Sequence, residues 1–149
     1  MIRETTGDIL TADVEALVNP VNTVGVMGAG LALQFKRKWP PMFWEYKAAC
    51  RRGGLRIGSV IAHPTGANPQ YIVSFPTKQH WRDPSRLEWI DQGLIGLRET
   101  VEALGMRSIA IPPLGCGLGG LDWTDVRGLI EDRLGGLDDV DVVLYVPNG

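Results

Sequence analysis

Residues 16–32 read ALVNPVNTVGVMGAGLA, and this stretch decides the fold class of the chain. The run from Ala16 to Val18 is short and apolar, which is typical of a buried strand. Polar residues and glycines follow it, and a helical pattern begins near Gly30. A strand that leads through a glycine-rich loop into a helix is the repeating unit of an α/β domain. Glycine in such a loop lets the backbone approach a ligand closely.

Helical patterns extend along the rest of the chain. Apolar positions spaced by three and four over residues 87–104 predict one long amphipathic helix. A shorter helix is predicted to begin near Asp122 or Thr124, either of which can cap its first turn. The pattern over residues 30–52 is interrupted by Pro40-Pro41, so it predicts two helices that meet at an angle.

Strands alternate with these helices. Short runs rich in Val, Ile and aromatic residues, bounded by Gly, Pro or Asp, predict strands over residues 57–63, 71–75, 108–112 and 140–146. The alternation predicts an α/β sandwich with a mostly parallel sheet. Ligands of such sheets bind beyond the carboxyl ends of the strands. The loops over residues 19–32, 76–81 and 112–120 are therefore the places to look for a site.

Composition indicates one folded domain over residues 1–149. The hydrophobic fraction is 44% and the charged fraction 21%, which is ordinary for a globular protein. No apolar run is long enough to span a membrane and the first residues lack a signal-peptide core, so we expect a cytoplasmic protein. A net charge of −2 argues against wrapping a long DNA duplex, although it leaves room for a locally basic surface.

Two cysteines, Cys50 and Cys116, fall in different predicted elements without metal-ligand spacing. This indicates neither a disulfide framework nor a zinc site, and we expect the protein to need no metal or other cofactor. Cys116 lies inside a glycine loop without an evident base, which favours a small packing residue over a nucleophile.

The second glycine-rich loop contains Gly115, Gly117 and Gly120. Two such loops, each between a strand and a helix, predict a diphosphate held from both sides by backbone N–H groups. The spacing also satisfies the G-x-G-x-x-G dinucleotide pattern, but it falls in the last strand–helix unit and follows Pro112-Pro113. No Gly-Lys-Ser/Thr follows either cluster, which disfavours a nucleoside triphosphatase.

At these loops the chain resembles the macrodomain family. Residues 7–10 (GDIL), 16–22 (ALVNPVN), 28–32 (GAGLA) and 115–119 (GCGLG) are similar to that family's ligand-binding segments. The resemblance implies a three-layer α/β/α fold that binds ADP-ribose, with Asp8 on the adenine and Asn22 beside the distal ribose. On their residue types alone, Asp8 also fits a helix cap and Asn22 a turn. The ADP-ribose contacts that the resemblance implies are Asp8, Ile9, Asn19, Gly28, Ala29, Gly30, Leu31, Gly115, Cys116, Gly117, Leu118 and Gly119.

Within the family the chain is more similar to the branch that contains the DarG antitoxin and the terminal ADP-ribose protein glycohydrolase. This implies a hydrolase in which Lys78 and Asn22 are catalytic, acting on the N-glycosidic bond between ADP-ribose and thymidine in DNA. In the protein glycohydrolase an aspartate works with the lysine, whereas this chain has Gly119 at that position. The departure puts a lysine–aspartate mechanism in doubt. As alternatives we consider a non-catalytic ADP-ribose reader and a protein-ADP-ribose or O-acetyl-ADP-ribose hydrolase.

The same branch implies partners. His80, Trp81 and Arg82 follow Lys78 and place an aromatic surface among basic groups, as proteins that bind single-stranded DNA do, although a packed Trp81 beside solvated arginines fits equally. The resemblance implies ADP-ribosylated single-stranded DNA and free ADP-ribose as ligands and a DarT-type DNA ADP-ribosyltransferase toxin as partner. It also implies that residues 1–149 are the N-terminal part of a longer protein, because the sequence stops soon after its last predicted strand. We expect a monomer with no membrane contact.

Overall fold

A central sheet of six strands organises the computed structural model, which describes residues 1–147. Asn148 and Gly149, at the sequence end discussed above, lie outside the described residues. The strands run in the order β1-β6-β5-β2-β4-β3, and every neighbouring pair is parallel except β3 and β4. The predicted, mostly parallel sheet is confirmed. The strands are β1 (Ile2–Thr5), β2 (Ala16–Asn22), β3 (Ile61–Pro64), β4 (Tyr71–Lys78), β5 (Ser108–Ile111) and β6 (Asp141–Tyr145).

Four helices cover the two faces of the sheet. They are α1 (Gly30–Lys38), α2 (Pro40–Arg51), α3 (Leu87–Leu104) and α4 (Trp123–Leu134), with a short 3-10 turn at Ile9–Thr11. Alternate side chains of β2 point to opposite faces: Leu17 packs with α1 and α2, whereas Val18 packs with α3 and α4. The chain therefore has the three-layer α/β/α architecture.

The helix boundaries agree with the sequence signals that predicted them. The pair Pro40-Pro41 separates α1 from α2, because proline at the first helical positions starts a new helix. Asp122 caps α4 by accepting a hydrogen bond from the Thr124 backbone N–H at 2.8 Å. Helix α3 covers the whole predicted range and ends at Gly105, whose φ of +64° closes the last turn.

Two strands are longer than predicted and continue through a proline. The free edges of these strands explain how the proline is tolerated. The predicted end points were residue 18 in β2 and residue 75 in β4, but the strands continue to Asn22 and Lys78. Proline cannot donate to a ladder and is tolerated where one side of a strand has no partner. Strand β2 pairs with β5 only at Ala16 and Leu17, and β4 pairs with β3 only from Tyr71 to Ser74. Beyond those residues each strand is free on one side, so Pro20 and Pro76 fit.

Two further strand predictions need correction. The predicted strand over residues 57–63 begins only at Ile61, because the preceding residues form a turn in which the Ser59 N–H donates to the Arg56 carbonyl at 2.9 Å. Strand β1 was missed, since Ile2–Thr5 is a half-exposed edge strand that pairs only with β6. Among residues 1–147, no helix combines the length and the apolar character that crossing a membrane requires.

Candidate functional site

Two predicted catalytic residues, Asn22 and Lys78, lie side by side at the carboxyl ends of adjacent strands. They are partners in the register of β2 and β4, just after a bulge that follows Val21. Because both strands run on past their predicted ends, these residues belong to strands and not to loops, which corrects our placement of Lys78. The Lys78 Nζ donates to the Trp81 carbonyl at 3.3 Å and the residue is half-buried.

The Asn22 side chain holds the first glycine-rich loop in shape. Its Oδ1 accepts from the Val24 and Val26 N–H groups at 3.1 and 3.3 Å, and its Nδ2 donates to the Val26 carbonyl at 2.8 Å. The buried Tyr46 hydroxyl donates to the same Oδ1 at 2.7 Å. Burial raises the Tyr46 pKa far above its usual value, so the hydroxyl remains a donor. One Nδ2 hydrogen is left for a ligand.

The first glycine-rich loop delivers the N-terminus of α1 to the site. Ala29 occupies the N-cap of that helix and has no side-chain oxygen to satisfy the first amides, which belong to Gly30, Leu31 and Ala32. Free N–H groups at the positive end of a helix favour an anion. This end of the loop therefore suits a phosphate group.

The second glycine-rich loop, residues 112–120 between β5 and α4, faces the first. The Leu118 side chain is 78% exposed, and its Cδ1 lies 4.0 Å from the position that a Cβ on Gly30 would take. The Cys116, Gly120 and Leu121 amides are bonded inside the loop. Among the described residues, the Gly117 amide has no intramolecular acceptor, so it can face a ligand.

Gly119 is fixed as glycine by its surroundings. A Cβ there would lie 2.3 Å from the Ser85 Oγ and 2.5 Å from the Gly115 carbonyl oxygen, both too close to be tolerated. The Ser85 N–H also donates to the Gly119 carbonyl at 3.0 Å. Ser85 thus packs the loop from outside, and no carboxylate side chain fits at position 119 in this conformation.

A cleft of about 1070 Å³ opens between the two loops and the ends of β2 and β4. That volume is at the upper end of the range for small-molecule sites. Among the described residues that line it, Lys78 is the cation and Asp122 the carboxylate. The sequence-predicted residues that line the cleft are Asn22, Gly28, Ala29, Gly30, Leu31, Lys78, Trp81, Gly115, Cys116, Gly117, Leu118 and Gly119.

Cys116 lies in the cleft wall as a thiol and not as a nucleophile. Burial, together with the nearby Asp122 carboxylate, raises the pKa of the Cys116 thiol to about 11. The Sγ lies 3.6 Å from the Leu114 carbonyl oxygen, to which the thiol donates. Both Cys116 and Cys50 are free cysteines. Within residues 1–147, no three His, Cys, Asp or Glu side chains gather as a metal site would require.

Three residues predicted to contact ADP-ribose lie outside the cleft lining. The exposed Asp8 caps the 3-10 turn, since its Oδ1 accepts from the Leu10 N–H at 3.0 Å. Ile9 and Asn19 are buried, and the Asn19 Nδ2 donates to the Met27 sulfur at 3.7 Å. The cap that was the alternative for Asp8 is thus present. Its adenine contact, like the ligand contacts of Ile9 and Asn19, stays a prediction.

Of the three predicted DNA-binding residues, Trp81 and Arg82 are exposed at the rim, and His80 beside them is half-buried. Trp81 is 50% exposed and lines the cleft, so the alternative of a packed Trp81 is wrong. The Arg82 guanidinium stands 5.1 Å from the centroid of the Trp81 ring, and the His80 ring lies 5.2 Å from it. An exposed aromatic ring with a stacked cation suits an unpaired base beside a phosphate.

Sequence reasoning missed several contributors to the site. Ser85 and Tyr46 shape the two loops from distant parts of the chain, and no local pattern marks them. Val26 and Trp123 line the cleft, and their position beside the glycine clusters was the available signal. Both give the cleft an apolar wall.

Known proteins share the sequence pattern of this chain. Residues 18–130 match the family model described as Macro domain. A Mycobacterium tuberculosis (strain ATCC 25618 / H37Rv) protein named DNA ADP-ribosyl glycohydrolase is 52% identical over 100% of this chain and 43% of its own length. This chain thus spans less than half the length of this relative and of the Thermus aquaticus (strain ATCC BAA-2747 / Y51MC23) protein of the same name, which is 50% identical.

Solved structures agree with the sequence match. The macrodomain of Mycobacterium tuberculosis DarG superposes with a TM-score of 0.97 at 51% identity, covering 99% of both chains. Thermosipho africanus DarTG in complex with ADP-ribose gives a TM-score of 0.92 at 33% identity, covering 98% of this chain and 41% of that one. These neighbours carry the fold and, in one case, an ADP-ribose ligand.

Proposed function

The chain belongs to the Macro domain family, and from that premise we propose that it is an ADP-ribosyl glycohydrolase that removes ADP-ribose from thymidine in single-stranded DNA. The observation that carries the proposal is the pairing of Lys78 with Asn22 at the mouth of a cleft bounded by two glycine-rich loops. The loops supply amides for a diphosphate, which directs the far ribose toward the strand ends. The names of the relatives at about 50% identity agree with this activity.

The proposed reaction breaks the N-glycosidic bond between the ribose anomeric carbon and a thymine nitrogen. Water supplies the hydroxyl that ends on the carbon and the proton that ends on the base. Lys78 acts by one of two routes: its amine attacks the anomeric carbon, or its ammonium stabilises the charge of the departing base. Gly119 admits no carboxylate and Asp122 caps α4 through its Oδ1, so the proposal assigns the chemistry to Lys78 without an aspartate at position 119.

The same proposal assigns ligands and partners. ADP-ribosylated single-stranded DNA is the substrate. Free ADP-ribose is the product that the cleft binds. A DarT-type toxin that modifies DNA is the partner whose reaction this chain reverses, with the antitoxin activity taking place in the cytoplasm. No metal or cofactor is needed for the roles assigned to Lys78 and Asn22. The resemblance to the DarG branch supports these assignments.

A comparison of three substrates tests the proposed function. The chain is incubated with an ADP-ribosylated oligonucleotide, an ADP-ribosylated protein and O-acetyl-ADP-ribose, and release of ADP-ribose is followed by chromatography. We expect turnover of the oligonucleotide well above that of the other two. Faster turnover of the protein or the acetyl ester would assign the chain to that substrate, and ADP-ribose binding without any turnover would make it a reader.

Arg82→Glu tests the DNA-facing rim. We expect kcat/KM for the modified oligonucleotide to fall about fivefold and the slope of log(activity) against log(salt) to decrease by about 0.7, the value of one phosphate contact on a single strand. The affinity for free ADP-ribose, measured by calorimetry, should be unchanged because that ligand ends before the rim. An unchanged kcat/KM on the oligonucleotide would remove Arg82 from the DNA-binding surface.

A further inference from the structure

A second cleft of about 600 Å³ lies against the same two strand ends as the first. Asn22 and Lys78 line the first cleft, and the residues that follow them, Thr23 and Gln79, line the second. The Thr23 N–H and hydroxyl both donate to the Gln79 carbonyl, at 3.2 and 3.0 Å. The two clefts therefore lie on either side of one hydrogen-bonded pair of loops. The second cleft is therefore within reach of a DNA strand whose modified nucleotide lies at Lys78.

The segment that ends at Arg56, a residue of the second cleft, is strongly basic. Residues 30–56 carry seven Lys and Arg side chains and one carboxylate, Glu45, a net charge of +6. The whole chain has a net charge of −2, which leaves −8 for the remaining residues. Such a separation of charge concentrates positive potential on α1, α2 and the loop after them. A polyanion is the partner that fits this surface.

Lys47 packs against the loop that carries Val24, which lines the second cleft. Its Cγ lies 3.5 Å from the position of a Cβ on Gly25, in the loop that follows Thr23. Its Nζ stands 5.5 Å from the centroid of the Trp44 ring, which is 62% exposed. Arg56 lines the second cleft and is exposed. Within residues 1–147, neither Lys47 nor Arg56 forms an ion pair with a carboxylate.

We propose that Trp44, Lys47 and Arg56 bind the nucleotides that flank the modified base in a single-stranded DNA. Lys47 and Arg56 contact phosphates, and Trp44 stacks on a base, which is how proteins hold single strands without reading their sequence. The Asp83 carboxylate on the wall of the second cleft disfavours a phosphate deep inside it, so the phosphates lie at the rim. This inference rests on the proposed function, because it extends the substrate beyond the reacting nucleotide.

Binding of an unmodified oligothymidylate of on the order of ten nucleotides tests the inference without requiring turnover. Fluorescence anisotropy compares the wild type with the double variant Lys47→Glu/Arg56→Glu. The matched control is Arg107→Glu, which reverses an exposed charge at the amino end of β5, whereas the clefts lie at the carboxyl ends of the strands. We expect the double variant to lose affinity at least tenfold and its salt slope to decrease by about 1.4, while the control binds as the wild type does.

Two further experiments separate this inference from the proposed function. Trp44→Ala should weaken oligothymidylate binding about fivefold with an unchanged salt slope. The double variant should hydrolyse ADP-ribosyl-thymidine at the wild-type rate, because this substrate has no flanking phosphates. Unchanged ADP-ribose affinity, measured by calorimetry, shows that the double variant is folded. Lack of hydrolysis by the wild type would refute the proposed function alone.

The inference itself is overturned by any of three results. These are oligothymidylate affinity that does not change in the double variant, no binding by the wild type, and loss of mononucleoside turnover in the double variant. A polyglutamate peptide that binds as tightly, with the same dependence on Lys47 and Arg56, would identify a protein partner and overturn it too.

Discussion

Lys78→Ala is expected to lower the single-turnover rate on ADP-ribosylated oligonucleotide at least 100-fold while ADP-ribose affinity stays within about threefold. Loss of one group that stabilises a transition state costs about 10²–10³ in rate. Affinity should survive because the amides that suit the diphosphate belong to α1 and the second loop, whereas Lys78 ends β4 and its Nζ donates to the Trp81 carbonyl. Rapid quench and calorimetry give the two values.

Lys78→Arg is the matched control, since it keeps the positive charge but cannot act as an amine nucleophile. Partial activity in this variant would support the electrostatic route, and complete loss would support the covalent one. Under the covalent route, mass spectrometry of the quenched wild type should also find the chain carrying an ADP-ribosyl group. Cleavage by Lys78→Ala at the wild-type rate would contradict the assignment and transfer the chemistry to Asn22 or a bound water.

Gly119→Glu should weaken ADP-ribose binding at least tenfold. A Cβ at this position collides with the Ser85 Oγ and the Gly115 carbonyl, so the second loop must move before the longer side chain finds space. Overpacking of this kind costs about 1–3 kcal/mol, and the added negative charge opposes a phosphate by up to about 1 kcal/mol more. Calorimetric titration with ADP-ribose measures the change. Equal affinity would mean that this loop does not hold the ligand.

Substitutions by alanine in the same loop provide the control for Gly119→Glu. Gly119→Ala brings the same collision without charge and should lower the free energy of unfolding by about 1–3 kcal/mol. A Cβ on Gly117 meets no atom within 4 Å in the described structure, so Gly117→Ala should change the free energy of unfolding by less than about 0.5 kcal/mol. Urea unfolding compares the two, and equal destabilisation would refute the packing role of Ser85.

Local signals explain which parts of the fold could be predicted from the sequence. The spacing of apolar residues over 87–104 and the cap at Asp122 depend on neighbours in the chain, and both elements occur as predicted. The ends of β2 and β4 depend on which strand edges lack a partner, and that is a property of the sheet. Pro20 and Pro76 therefore suggested ends that the strands do not have.

The same distinction between local and distant determinants applies to the candidate site. The glycine clusters were recognisable because their residue type suits phosphates, whereas Lys78 was identified through the resemblance to the macrodomain family. Both line one cleft. The bonds that fix Asn22 come from Tyr46 on α2, and the close packing of Gly119 comes from Ser85 before α3. These partners are 24 and 34 residues away, so no short motif contains them.

Mass analysis of the wild-type reaction with an oligonucleotide ADP-ribosylated on a single thymidine tests the central claim most directly. The account predicts two products, the unmodified oligonucleotide and free ADP-ribose, in equal amounts and without added metal. An oligonucleotide that keeps its full modified mass while the same preparation binds ADP-ribose would contradict the account.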